Sequence, residues 1–145
     1  MSHAPSREIL VLKKGTPVRP AIAAFVEQIG LTTGTVQGIG ALEQIELGFF
    51  DRERKVYDRR RVEGPHELLS LLGNVTVLDG EPFLHLHAVL SGPDFSVTGG
   101  HFFDAVVAVT LELFLDPWPA DRHRRLDAES GLALMERPLP FPPLG

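Results

Sequence analysis

The sequence predicts an α+β fold, a curled, partly barrel-like antiparallel sheet with one main helix and a Pro-rich C-terminal tail. Three observations predict it. Short apolar runs separated by turn residues recur along most of the chain, which is a strand signature. One stretch, Pro20 to Ile29, carries a clear helical period. Half of the twelve prolines fall between Asp116 and Gly145, so this tail is expected to pack irregularly or be partly mobile. With 145 residues the chain reads as one domain, residues 1–145, with a core of about 7–134 and the tail over 116–145.

Glu8 to Lys13 is a short apolar run and the first expected strand. Thr16-Pro17 can open a helix, in which Ile22, Phe25, Val26 and Ile29 form one apolar stripe and Gly30 provides the stop. Gly34, Gly38 and Gly40 punctuate Thr35 to Ala41, as in a kinked strand where backbones approach closely. Leu42 to Phe50 and Lys55 to Val62 read as a hairpin around Asp51 to Arg54. Glu67 to Leu78 is a strand interrupted at Gly73-Asn74, and Phe83 to Ser91 opens a second hairpin at Gly92-Pro93-Asp94. Ala105 to Leu115 closes the series. It is apolar on both faces, Val107, Val109, Leu111 and Leu113 against Val106, Ala108 and Phe114, so a second burial surface such as a subunit interface is implied.

Composition excludes several function classes. The formal net charge is −5, which opposes a large phosphate-binding surface. Asp51 to Glu63 holds six basic residues but also four acids, a solvated mixed-charge hairpin and a poor nucleic-acid footprint. With no cysteine there is neither a disulfide nor a thiolate metal site. The N-terminus lacks a signal-peptide core and no apolar run is long enough to span a bilayer, so the expected location is the cytoplasm, away from membranes. The glycines form no phosphate-binding loop, because no strand, Gly-rich turn and helix follow one another around them.

The chemistry concentrates in His85, His87 and His101. Side chains alternate along a strand, so His85 and His87 share a face, with Leu84, Leu86 and Ala88 opposite. If Gly92-Pro93-Asp94 is a three-residue loop, Ser91 pairs with Phe95 and His85 faces His101 across the hairpin. A one-residue slip, or a bulge at Gly99-Gly100, would send His101 to the other face. Three imidazoles so spaced can converge on one ion at about 2.0–2.1 Å. Three neutral nitrogens without thiolate favour zinc, with nickel, copper or iron as substitutes. Glu112, alone in charge between Ala105 and Leu115, is a candidate imidazole partner or general base, or else the partner of an arginine at a subunit boundary. Glu67 carries the same ambiguity. His66 and His123 lack convergent neighbours and are read as surface residues, and His3 belongs to a fraying terminus.

Several motifs occur in a recognisable order: Gly38-Ile39-Gly40-Ala41, Glu67-Leu-Leu-Ser-Leu-Leu-Gly-Asn74, Leu84-His-Leu-His-Ala88, Gly99-Gly100-His101, Leu111-Glu-Leu-Phe114 and Ser130-Gly131-Leu132. Together they resemble the PPC domain, conserved in plants and prokaryotes, over roughly Arg7 to Leu134. The resemblance implies a compact α+β domain assembled as a homotrimer. In plants the domain follows AT-hooks and mediates protein contacts. No Arg-Gly-Arg-Pro occurs here, so the chain resembles the stand-alone prokaryotic form. Bacterial members keeping the His-x-His and Gly-Gly-His motifs hold a metal on those histidines, which implies the same for His85, His87 and His101. The fold is also similar to that of acetolactate decarboxylase, an analogy that transfers no activity by itself. Gly15-Thr16-Pro17 departs from the family, which often has an acidic residue after the glycine. The function expected is a metal-dependent enzyme or small-molecule binder acting on an anionic metabolite. The alternative is a DNA-associated regulatory or protein-interaction module with a structural metal.

Overall fold

The computed structural model describes residues 6–137. It contains eight strands and one helix: β1 (Glu8–Lys13), α1 (Val18–Gln28), β2 (Gly34–Asp51), β3 (Val56–Val62), β4 (His66–Leu78), β5 (Glu81–Ser91), β6 (Val97–Pro117), β7 (Arg124–Leu126) and β8 (Ala133–Met135). All the strand ladders are antiparallel. The large sheet has the order β1-β6-β5-β4-β2-β3, and β2 also pairs with β6, so the strands form a partial ring. β7 and β8 make a separate two-stranded sheet. The α+β class and the curled sheet with one main helix are therefore as the sequence predicts. Among the described residues no helix is long and apolar enough to cross a membrane.

The ring is filled by the inward residues of each strand, among them Val36, Leu42, Leu71, Leu86, Leu90, Phe102, Leu111 and Leu113, all fully buried. α1 packs on β6, β5 and β1 through Val18, Ile22 and Val26. Phe25 and Ile29 of the expected stripe are half-buried against the same core. Pro17 lacks a capping side chain, so the Asp104 carboxylate of β6 accepts the Arg19 N–H at 2.9 Å and caps the helix from across the fold. At the other end Leu31 and Gly30 donate to the carbonyls of Val26 and Glu27, the paired bonds of a glycine C-cap.

Two sequence expectations are corrected and a third is refined. β4 runs through Gly73-Asn74 without interruption, because Gly73 marks a close approach: a Cβ there would lie 1.8 Å from the His85 carbonyl oxygen. Val109 does not share the buried face of Val107; β6 bends where it changes partners, and Val109 is 69% exposed. The C-terminal segment holds a short two-stranded sheet within backbone that is otherwise irregular, as expected, up to residue 137. Asp127 accepts from the Ser130 N–H and hydroxyl, and the turn so fixed pairs Arg124–Leu126 with Ala133–Met135. The rest of the expected tail, residues 138–145, and His3 lie outside the described residues.

Candidate metal centre

β5 and β6 form the hairpin that carries the histidines. Its register differs from the expected one. Ser91 pairs with Val97 and His87 with His101, leaving a five-residue loop from Gly92 to Ser96. The loop closes with Gly92 N–H donating to the Ser96 carbonyl and Phe95 N–H to that of Gly92, each at 3.0 Å. Asp94 accepts from the Ser96 N–H and hydroxyl, and Phe95 takes a φ of 64°. The two added loop residues, Phe95 and Ser96, shift the register by two, and a shift of two preserves the face of every side chain. All three histidines remain together on the outside of the ring, while Leu84, Leu86 and Ala88 point into the core.

The ring centroids are 5.0 Å apart for His85 and His87, 5.6 Å for His85 and His101, and 5.7 Å for His87 and His101. One ring nitrogen from each lies within 4.8 Å of the others. His85 Nε2 and His87 Nε2 are 3.3 Å apart. Tetrahedral zinc with Zn–N bonds of about 2.0–2.1 Å requires neighbouring nitrogens about 3.3–3.4 Å apart, so this pair already has the spacing of one edge. His101 Nδ1 is buried and has no hydrogen-bond partner, a costly state for an imidazole nitrogen beside two others. The donor set therefore fits a transition-metal ion with imidazole preference.

Burial, reinforced by Arg124, His87 and Arg19, holds His85 below its ordinary pKa. Burial, with His85, His87 and two arginines adding to it, brings His101 down to about 4. Both rings are thus neutral at neutral pH, the form that ligates. Arg19 in the first turn of α1 fixes the backbone on either side: its guanidinium donates to the carbonyls of Leu84, Phe102 and Phe103, the neighbours of His85 and His101.

Two further elements wall the site. From β3, Tyr57 lies against His101 with centroids 4.6 Å apart and planes at 31°. Phe103 meets both rings edge-on, and the Arg59 guanidinium covers Phe103 at 3.8 Å. Gly48 makes this possible, since a Cβ there would stand 2.4 Å from the Phe103 ring. From β7, buried Arg124 donates to the Thr76 hydroxyl, the Asn74 side-chain oxygen and the Ala133 carbonyl, and its Nη2 lies 3.4 Å from His85 Nδ1. A cavity of about 460 Å³ lies on the His87–His101 side, between Tyr57, Phe49 and Gly99. A smaller one of about 150 Å³ opens between His85, His101, Tyr57 and Leu132 to Leu134. Tyr57 lines both and is held above its ordinary pKa by burial, so its hydroxyl keeps its proton at neutral pH. No carboxylate lines either cavity among the described residues.

Glu67 and Glu112 are brought together elsewhere. They line a third cavity of about 430 Å³ with Ile39, Leu69, Val109 and Thr110, and share it with no histidine. His66 is half-buried with Nδ1 at 3.1 Å from the Gly64 carbonyl, and His123 is exposed. Sequence reasoning missed Tyr57 and Arg124. Tyr57 is the single tyrosine of the chain and sits two residues before Arg59, on the strand face that Gly48 leaves open.

A family model, the Plants and Prokaryotes Conserved (PCC) domain, matches residues 4–119. Among solved structures, a plant- and prokaryote-conserved protein of Pyrococcus horikoshii is 32% identical, with 93% of each chain covered and a TM-score of 0.85. A metal-containing protein of Archaeoglobus fulgidus is 33% identical over 91% of this chain and 94% of that one, TM-score 0.83. A Bacteroides thetaiotaomicron protein, provisionally named as DNA-binding, is 25% identical over 93% and 94%, TM-score 0.87. Acetolactate decarboxylase of Bacillus subtilis shares the fold alone, at 14% identity over 79% of this chain and 54% of the enzyme, TM-score 0.58. No curated protein matches the chain.

Proposed function

Because the chain belongs to the Plants and Prokaryotes Conserved domain family, we propose that it is a metal-binding member holding one transition-metal ion, zinc before nickel, copper or iron, on His85, His87 and His101. The observation that carries the reading is the convergence of three ring nitrogens within 4.8 Å, on rings of which one, His101, also holds a buried, unpartnered Nδ1. The metal-containing Archaeoglobus protein supports it. Bound there, the ion would supply a Lewis acid with a position left for water or ligand.

The chain's own residues suit a metal-dependent enzyme or small-molecule binder in the cytoplasm. The two cavities bring a ligand against the histidines, Phe49 and Leu132 offer apolar contact on its flanks, and the Tyr57 hydroxyl offers a proton or hydrogen bond. With Arg59 and Arg124 close by and no lining carboxylate, an anionic metabolite is the favoured class. Glu67 and Glu112 remain candidates for a role at their own cavity. Ile9, Val11, Ile39, Leu72, Val109 and Phe114 are exposed apolar residues of β1, β2, β4 and β6, and a homotrimer would bury them. Elemental analysis and zinc titration of the wild type and of His87→Ala test the reading: about one ion per chain is expected, and lost in the variant. Equal metal content in both would sink it.

A DNA-associated module with a structural metal is the second reading, favoured by the provisional name of the Bacteroides protein. It requires duplex affinity that falls steeply with salt. Acids intersperse the basic residues of this hairpin, Arg54 being engaged by Asp51 and Asp58 and Arg59 by Glu46, and the net charge of the chain is −5, so no binding at low salt is expected.

A further inference from the structure

Arginine carries five N–H donors and no acceptor. The contact of Arg124 Nη2 with His85 Nδ1 at 3.4 Å therefore uses the lone pair of that nitrogen. A neutral imidazole has one proton, which then sits on Nε2. From Nε2 it points at His87 Nε2, 3.3 Å away, which accepts it. Arg124, His85 and His87 thus form a relay with a single direction. Ligation by the nitrogen that faces the cluster needs the opposite arrangement: a lone pair on His85 Nε2 and the proton on Nδ1. That proton would meet the arginine N–H head on. A ligating histidine normally has an acceptor behind it, a carboxylate or a carbonyl. Here a cation without acceptor stands in that place, pinned by Thr76, Asn74 and Ala133 and only 9% exposed.

Resting on the metal reading above, we propose that Arg124 is a positioning residue that opposes metal uptake: ligation through His85 Nε2 and the Arg124–His85 contact exclude each other. Filling the site turns the His85 proton over to Nδ1 and frees one arginine donor. The metal affinity of the β5–β6 hairpin is thereby set from β7, a distant part of the chain whose guanidinium reaches His85.

Two measurements test this. In the metal-free wild type, nitrogen-15 NMR of the histidine rings should show His85 protonated at Nε2 and bare at Nδ1; the reverse tautomer overturns the proposal. Zinc competition titrations then compare the wild type with Arg124→Gln, whose amide oxygen can accept from a protonated Nδ1, and with His87→Ala. Arg124→Gln should bind zinc more tightly by about tenfold or more, the usual scale of changes behind a ligating histidine. Unchanged or weaker binding by the folded variant overturns the proposal, and should the variant not fold, the wild-type tautomer decides. If no variant takes up zinc while His85 is bare at Nδ1, the metal reading itself fails, and the opposing role of Arg124 with it.

Discussion

Replacing Gly73 by alanine should damage the fold and the histidine site together, and the structure sets the size of the effect. The added Cβ would lie 1.8 Å from the His85 carbonyl oxygen and 2.8 Å from its carbon, both backbone atoms that no side-chain rotation can move away. Ordinary contact begins at 3.4 Å, so β4 and β5 must part locally by the difference, about 1.6 Å. The pairs at risk are Gly73 with Leu86 and Asn74 with His85. Two ladder hydrogen bonds at about 1 kcal/mol each, with overpacking strain of about 1–3 kcal/mol, give a loss of roughly 3–5 kcal/mol. That is a large part of the roughly 5–15 kcal/mol that holds a domain folded. The same displacement moves His85 and opens its 3.3 Å spacing to His87, so zinc affinity should fall at least about tenfold. Urea unfolding of the metal-free protein measures the first effect and zinc competition the second. Ile22→Ala serves as the comparison: it empties a fully buried position on α1 at a cost of about 2–5 kcal/mol and lies outside the β4–β5 ladder at Gly73. A Gly73→Ala protein within about 1 kcal/mol of wild type and with unchanged zinc affinity would refute the close-approach argument.

The remaining predictions concern pH and assembly. His101 is brought from 6.5 down to about 4 in the folded chain, so the unfolded chain takes up this proton first. Stability of the metal-free protein should therefore decline as pH falls from 6.5 to about 4, and His85, lowered in the same direction, adds the same sign. Urea midpoints measured across that range should slope less in His101→Gln, and an equal slope would count against the assignment. Val11→Glu places a carboxylate on the exposed apolar face of β1, where wild-type Val11 is 61% exposed. Sedimentation should find a trimer for the wild type and a folded monomer for the variant; identical masses would remove this face from the interface.

Much of the site was legible because a strand has a period of two. The misplaced turn moved the partner of His101 from His85 to His87, yet the face survived, since the error was an even number of residues. The helix and its stop were legible for a similar reason, the spacing of Ile22 and Val26 followed by Gly30. Contacts that depend on ring closure left no such trace. Tyr57 reaches His101 only because β2 pairs with both β3 and β6, and no local pattern near Tyr57 encodes that. The C-terminal hairpin was hidden by the prolines that precede and follow it in the sequence, although Asp127, Ser130 and Gly131 are turn residues at suitable spacing. A lone charge on an apolar strand marked Glu112 as a candidate but could not say which cavity it joins; the structure places it with Glu67, apart from the histidines.

The long β6 strand also has a consequence for the order in which the molecule assembles. β2 pairs with β6 from Gly34 and Pro117 at one end to Gly48 and His101 at the other, so its ladder waits for a partner synthesised much later. Closing so long a loop is entropically costly and comes late in folding. β4 and β5 are neighbours in the chain and can zip first, carrying His85 and His87 on an open meander. β6 follows β5 across a five-residue loop, so His101 joins His87 through a pairing that is equally local. The three histidines can thus gather on the β5–β6 hairpin before β2 closes the ring, and the closure then adds the wall that carries Tyr57.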